Sequence, residues 1–173
     1  MPHTDLSKLI ESHRTLVEPA WGDGAGRMQT GLYMVVFDVA TGGFFTALGW
    51  SRAERIPHAC TVFTLESHLC CERTPVVGEP LRFTTQLIDV DAKRVHFLHE
   101  MRHATEGWLA ATNELVSVNV NTQTRRSAPF PEHLLARFAA IRDAHRALGT
   151  PAQAGRAAGL DAGTPGHPHK APR

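Results

Sequence analysis

Between Gly31 and Trp50 the chain carries one charged residue, Asp38. Around it stand Leu32, Val35, Val36, Phe37, Val39, Phe44, Phe45 and Leu48, with Met28 just ahead. At 3.6 residues per turn these side chains cover most of a helix's circumference, which marks a central helix that other elements must wrap. The pattern predicts a helix from about Gly26 to Leu48, roughly 35 Å long at about 1.5 Å per residue. Gly42-Gly43 is a place where it bends or breaks near its end.

The rest of the chain must supply the wrapping. A first strand is expected over residues 13–18, through Thr15-Leu16-Val17, after a lead-in (5–12) that reads as a short helix or as irregular chain. After the helix the apolar period changes from 3.6 to 2. Residues 59–73 are β-rich, Pro75–Glu79 is a turn, and Leu81, Phe83, Thr85 and Leu87 alternate with Arg82, Thr84 and Gln86. Asp89–Ala92 is a hairpin connection, Arg94–Met101 alternates again, and Trp108–Asn121 is the last strand. Long strands joined by short turns read as an antiparallel meander. Glu132–Leu148 is amphipathic through Leu134, Leu135, Phe138 and Ile141. The expected architecture is α+β: a long central helix wrapped by an antiparallel sheet of about five strands, then a C-terminal helix. The expected organisation is a lead-in (1–12), one domain (13–148) and a flexible Pro/Gly/Ala-rich tail (149–173).

The chain has 173 residues, 42% hydrophobic and 20% charged, with a formal net charge of +1. This composition fits a globular domain. It carries no basic stripe with interleaved aromatics, so no nucleic-acid partner is expected. No signal peptide is read at Met1–Asp5, and the apolar run Leu32–Phe37 is too short to span a membrane, so no membrane partner is expected. Cys60, Cys70 and Cys71 make a poor disulfide framework, and a cytoplasmic location is expected. Among the histidines of the Arg94–His103 strand, His96 faces opposite to His99 and His103, which is not a compact ligand set; no metal is expected.

Ahead of the helix lies Trp21-Gly22-Asp23-Gly24-Ala25-Gly26-Arg27-Met28. A helix N-terminus presents unpaired N–H groups and a partial positive charge. Glycines allow close approach to those groups. Asp23 beside them combines a base or nucleophile with the donors of an oxyanion hole. Asp23 is equally readable as a capping or turn residue. The near G-x-G-x-x-G here ends in Arg27 and is followed by antiparallel strands, which argues against a dinucleotide site.

In this order of elements, and in its motifs, the chain resembles the hotdog-fold acyl-CoA thioesterases of the 4-hydroxybenzoyl-CoA thioesterase-like superfamily, closest to the betainyl-CoA thioesterase branch associated with carnitine dehydrogenase. In that branch the loop reads roughly V-x-P-x-W-x-D-Y-N-G-H-M-N. Here it is Val17-Glu18-Pro19-Ala20-Trp21-Gly22-Asp23-Gly24-Ala25-Gly26-Arg27-Met28-Gln29. Further matches lie at Phe63–Leu69, Gly78–Leu81, Thr84–Arg94 and Thr124–Pro131. Asp23 and Gly26 retain the pattern; Gly24-Ala25 replaces Tyr-Asn, Arg27 replaces His, and Gln29 replaces Asn.

The resemblance implies hydrolysis of a short acyl-CoA, betainyl-like in that branch, to free acid and CoA, with no cofactor beyond the CoA of the substrate. It implies a homodimer or dimer of dimers with the site at the subunit interface. The expected catalytic set is Asp23, the amides of Gly26, Arg27 and Met28, and Glu66, which is open also to a structural role at the dimer seam. Arg27 is open to binding a thioester oxygen or a CoA phosphate, or to plain solvation. Trp21, Gln29 and Tyr33 are candidates for lining the substrate pocket, Gln29 and Tyr33 being equally open to core or interface packing. Arg94, Arg125 and Arg126 are candidates for the CoA phosphates, each open also to the plain role of a solvated strand end. Trp21 with Phe44 and Trp50 raises a cation–π box for a trimethylammonium acyl group, against plain core packing. The altered loop also fits a non-catalytic module that binds acyl-CoA or a partner protein.

Overall fold

The computed structural model describes residues 8–156. Strand β1 (Ile10–Leu16) leads through the glycine loop into helix α1 (Thr30–Ala47). A short helix α2 (Arg52–Arg55) precedes β2 (Cys60–Cys71), β3 (Pro80–Val90), β4 (Arg94–His103), β5 (Leu109–Asn121), the two-residue β6 (Arg126–Ser127) and helix α3 (Glu132–Arg146). This is the hotdog architecture: a curled antiparallel sheet around one long helix.

Three features of β1 and α1 differ from the expectation. β1 begins at Ile10, three residues early, because Ile10 pairs with Thr85 and is fully buried. α1 begins at Thr30 rather than Gly26, because residues 22–28 form a closed loop pinned to the β2–β3 connection. α1 also runs unbroken through Gly42-Gly43. Gly43 has a packing reason: a Cβ there would lie 1.9 Å from the Ser12 carbonyl oxygen, so only glycine lets the helix rest on β1.

The sheet order is β1-β3-β4-β5-β2, with β6 on β5. Only β3–β4–β5 is a meander; residues 72–79 carry the chain from β2 on one edge to β3 on the far side of β4 and β5. Two clusters fill the inner face. Val17, Met28, Tyr33, Val36 and Phe37 pack with Leu81, Phe83 and Met101 near the start of α1. Phe44, Phe45, Leu48 and Trp50 pack with Leu87, Phe97 and Leu115 near its end, closed over by Leu134, Phe138 and Ile141 of α3.

The wrapping is incomplete. Val35 and Val39 on α1 are 55% and 52% exposed, and Phe63 and Leu65 on β2 are 57% and 55% exposed. The helix expected to be buried all round therefore keeps one apolar stripe open, beside an edge strand of the sheet. By length and composition alone α1 would cross a membrane, but its opposite face, from Tyr33 to Phe45, is core.

Past α3 the chain is tied down as far as Arg156. Gln86 Nε2 donates to the Gly149 carbonyl (2.7 Å), Gly155 N–H donates to Glu114 Oε2 (2.8 Å), and Arg156 pairs with Glu72 (3.1 Å). The rest of the expected tail (157–173), and the start of the lead-in (1–7), lie outside the described residues.

Candidate active site at the mouth of α1

The loop before α1 is held by its own carboxylate. Asp23 N–H donates to the Arg27 carbonyl (2.8 Å), and Gly26 N–H donates to the Asp23 carbonyl (2.9 Å). Asp23 Oδ1 accepts the backbone N–H groups of Ala25 and Arg27, both at 2.9 Å. Oδ2 accepts Arg27 Nε at 3.1 Å and Nη2 at 3.0 Å. Gly26 closes the turn at φ +75°, a conformation that costs a side-chain-bearing residue about 1 kcal/mol or more. The two Asp23-bound N–H groups, with Arg27, hold this carboxyl below the usual carboxylate range. The side chain is half-exposed at the surface.

The amides expected to form an oxyanion hole are already used. Gly26 and Arg27 donate to Asp23, and Met28 N–H donates to the Pro75 carbonyl (2.9 Å). Gln29 is the N-cap of α1; its N–H goes to the Trp21 carbonyl and its side-chain amide to the Gly22 carbonyl (3.0 Å). Gln29 thus ties the loop and gives the helix no side-chain cap. Among the described residues, no acceptor meets the N–H groups of Thr30 and Gly31. These are the free donors at the mouth, displaced from the expected ones because the helix starts four residues later.

Tyr33, in the first turn, is buried, and its hydroxyl lies by Thr74; burial pushes its pKa up. Trp21 packs on the same cluster as Tyr33 and Met28. The aromatic box does not form, since Phe44 and Trp50 belong to the other cluster, near the end of α1.

Glu66 does not meet Asp23 within the chain. Ser67 faces inward, its Oγ 2.7 Å from Asn113 Oδ1 and 3.7 Å from Met34 Sδ, so Glu66 and His68 point to the outer face. There they line a cavity of about 540 Å³ with His96, Glu114 and Arg156. His96 Nε2 lies 2.8 Å from Glu114 Oε1. Among the described residues no group of three or more His, Cys, Asp or Glu side chains is arranged to hold a metal ion.

Arg94, Arg125 and Arg126 lie at the other end of the sheet. Arg94 pairs with Asp91 (2.7 Å) and sits opposite Val118, and Arg126 opposite Asn121. The mouth of α1 lies near Cys71, which pairs with Ala111; along β5, at about 3.3 Å per residue, that is about 33 Å from the position of Arg126 and about 23 Å from that of Arg94. Lys93, Arg94 and Ser127 rim an outer-face groove of about 750 Å³ floored by Leu65, Val118 and Val120. One arginine near the mouth was not among the sequence candidates. Arg73 follows β2, with its guanidinium 4.2 Å from the Trp108 ring centroid.

Residues 17–138 match the family model described as the Thioesterase-like superfamily. The chain belongs to that superfamily. Within the superfamily, it is 34% identical over 155 residues to a betainyl-CoA thioesterase of Pseudomonas aeruginosa, covering 90% of this chain and 98% of the relative. It is 29% identical over 155 residues to an L-carnitine dehydrogenase/betainyl-CoA thioesterase of Rhizobium meliloti, covering 90% of this chain but 31% of that longer protein. Among solved structures, a hypothetical protein of Staphylococcus aureus in complex with CoA superposes with a TM-score of 0.79 at 28% identity, covering 88% of this chain and 98% of that one.

Proposed function

We propose that this thioester hydrolase cleaves a short acyl-CoA to the free acid and CoA at the mouth of α1. The observation that carries the reading is a fixed, ionised carboxylate, Asp23, one loop away from two unpaired helix-terminal N–H groups, those of Thr30 and Gly31. The thioester carbonyl oxygen gains negative charge as the carbon is attacked. The two N–H groups and the positive end of the helix dipole stabilise that charge. Asp23 serves in one of two ways. As general base it orients a water and takes its proton during attack. As nucleophile it bonds to the carbonyl carbon, the C–S bond breaks, CoA leaves as thiolate, and water then hydrolyses the anhydride. In either route one water is consumed and the thiolate gains a proton.

The named relative supports an acyl group of the betainyl kind. Trp21 and Tyr33 are the aromatic side chains at the mouth, suited to a quaternary ammonium.

The working unit of this reading is a homodimer joined along β2. The strand is 12 residues long with one edge unpaired among the described residues, and it adjoins the open stripe of α1. Continuing the sheet antiparallel across that edge brings the two α1 stripes together and covers Val35 and Val39, each worth about 1.5–3 kcal/mol if fully buried, while Phe63 and Leu65 come beside the partner strand on the outer face. Antiparallel pairing sets the Cys60 end of one β2 beside the Cys71 end of the other. Arg94, Arg125 and Arg126 of the partner subunit then stand near this mouth, where CoA phosphates emerge.

A second reading, a silent acyl-CoA-binding module, is favoured by one observation: Arg27 occupies the Asp23 carboxylate that catalysis needs. Thiol release from acyl-CoA by the wild type and by Asp23→Asn separates the two.

A further inference from the structure

Arg73 is exposed and has no carboxylate within ion-pair distance among the described residues. The neighbouring acid, Glu72, is taken by Arg156 at 3.1 Å in a largely buried pair. The guanidinium lies instead on the Trp108 ring, 4.2 Å from its centroid. That ring is itself fixed: its other neighbour is His103, stacked at 5.1 Å, and its Nε1–H donates to Glu106 Oε2 at 2.9 Å. His103 is held in turn by the N–H of Glu106, which donates to Nδ1 at 3.0 Å. A guanidinium held over an indole ring is partly immobilised before an anion arrives, so it loses less entropy on binding one, and its N–H donors have no carboxylate partner among the described residues.

The placement ties this cation to the mouth of α1. Thr74, next in the chain, lies by the Tyr33 hydroxyl; the Pro75 carbonyl accepts Met28 N–H; and Val76 bridges to Arg27. Arg73 is thus about 10 Å of chain from the segment that pins the Asp23 loop, at about 3.3 Å per residue.

We infer that Arg73, mounted on Trp108, binds a phosphate group of CoA from the same subunit that supplies Asp23. The inference rests on the thioesterase reading and adds a residue to its substrate site. A phosphate oxygen is the anion this donor set fits, and an arginine–phosphate contact of this kind is worth about tenfold in binding.

The test compares two substrates with the same acyl group, the CoA thioester and the N-acetylcysteamine thioester, which has no phosphate. Arg73→Ala is expected to raise KM for the CoA thioester about tenfold more than for the truncated one, with kcat little changed. Arg73→Lys recovers part of the loss, since it keeps the charge but not the planar fork of donors. Repeating the comparison with the 3′-dephospho-CoA thioester assigns the contact: an effect that vanishes places it on the 3′-phosphate, and one that persists places it on the diphosphate. Equal KM changes for the CoA and N-acetylcysteamine thioesters, or none, overturn the inference. Calorimetric titration with CoA decides it without turnover. If the wild type releases no thiol yet binds CoA about tenfold more tightly than Arg73→Ala, the phosphate site stands and the hydrolytic reading falls. Equal affinities, or no CoA binding by the wild type, overturn the phosphate site itself.

Discussion

Arg27 holds Asp23 twice, by its backbone N–H on Oδ1 at 2.9 Å and by its guanidinium on Oδ2 at 3.0–3.1 Å. The backbone N–H groups are the stronger influence on the carboxyl, and the guanidinium adds to them. The carboxyl of Asp23, followed by carbon-13 NMR, should therefore titrate below its ordinary value of 3.8. Arg27→Ala should move the midpoint up, but only part of the way, because Ala25 N–H and the backbone N–H of residue 27 remain. A lowered folded-state pKa means that this carboxylate supports the fold above its unfolded pKa and loses that support as pH falls through the folded value. An unchanged midpoint in the variant would show that the side-chain pairing is incidental.

His99 sits at 0% exposure inside the sheet, with Nε2 3.0 Å from Thr41 Oγ1 and Nδ1 2.7 Å from Thr85 Oγ1. Both ring nitrogens are satisfied in the neutral form, and burial pushes the pKa from 6.5 down to about 3. The unfolded chain takes up this proton near 6.5 and the folded chain does not, so stability falls on acidification between those values. The slope is about 1.4 kcal/mol per pH unit from this one group. Urea unfolding should lose about 2 kcal/mol from His99 between about pH 7 and about pH 5. His99→Gln, though less stable at neutral pH, should show a correspondingly flatter dependence. The same pH slope in both proteins would assign the acid sensitivity elsewhere.

Gly43 is where α1 touches β1. Adding one methyl group at this site puts a Cβ 1.9 Å from the Ser12 carbonyl oxygen and forces the helix off β1. Gly43→Ala should cost about 2–3 kcal/mol, read as a lowered Tm by calorimetry, despite alanine's better helix propensity. A Tm at or above that of the wild type would mean that the helix shifts at no cost.

How much of this was legible in the sequence depends on range. The apolar run before Trp50 and the period-2 alternation of Leu81–Leu87 are local patterns, and they announced the helix, the strands and the wrapping. The place of β2 at an edge beside β5 is not local: a meander and a crossover share the same alternation. α1 starts later than the apolar pattern indicates because Asp23, Gly26 and Arg27 bond among themselves, Met28 N–H donates to the Pro75 carbonyl and the Gly26 carbonyl accepts Val77 N–H, contacts set by chain from another part of the fold. The same shift moved the free donors from Gly26–Met28 to Thr30 and Gly31. Arg73 escaped notice because its platform, Trp108, lies 35 positions away in sequence and meets it only through β2–β5 pairing.

The open edge of β2 makes a prediction about assembly. Val39→Asp places a charge on the open stripe of α1, inside the proposed seam, where its burial is costly. Sedimentation equilibrium should show a dimer for the wild type and a monomer for the variant. Thiol release should fall with the dimer, since Arg94, Arg125 and Arg126 of the partner subunit are proposed to meet CoA. A wild-type monomer that hydrolyses acyl-CoA would remove the second subunit from the site.

The most direct measurement is the rate of thiol release from betainyl-CoA and a panel of short linear, branched and aromatic acyl-CoAs, wild type beside Asp23→Asn. A catalytic Asp23 should give turnover by the wild type on at least one short acyl-CoA and a loss of about a hundredfold or more in kcat for the folded variant. Turnover that survives in Asp23→Asn, or no thiol release from any substrate by the folded wild type, would contradict a catalytic carboxylate at the mouth of α1.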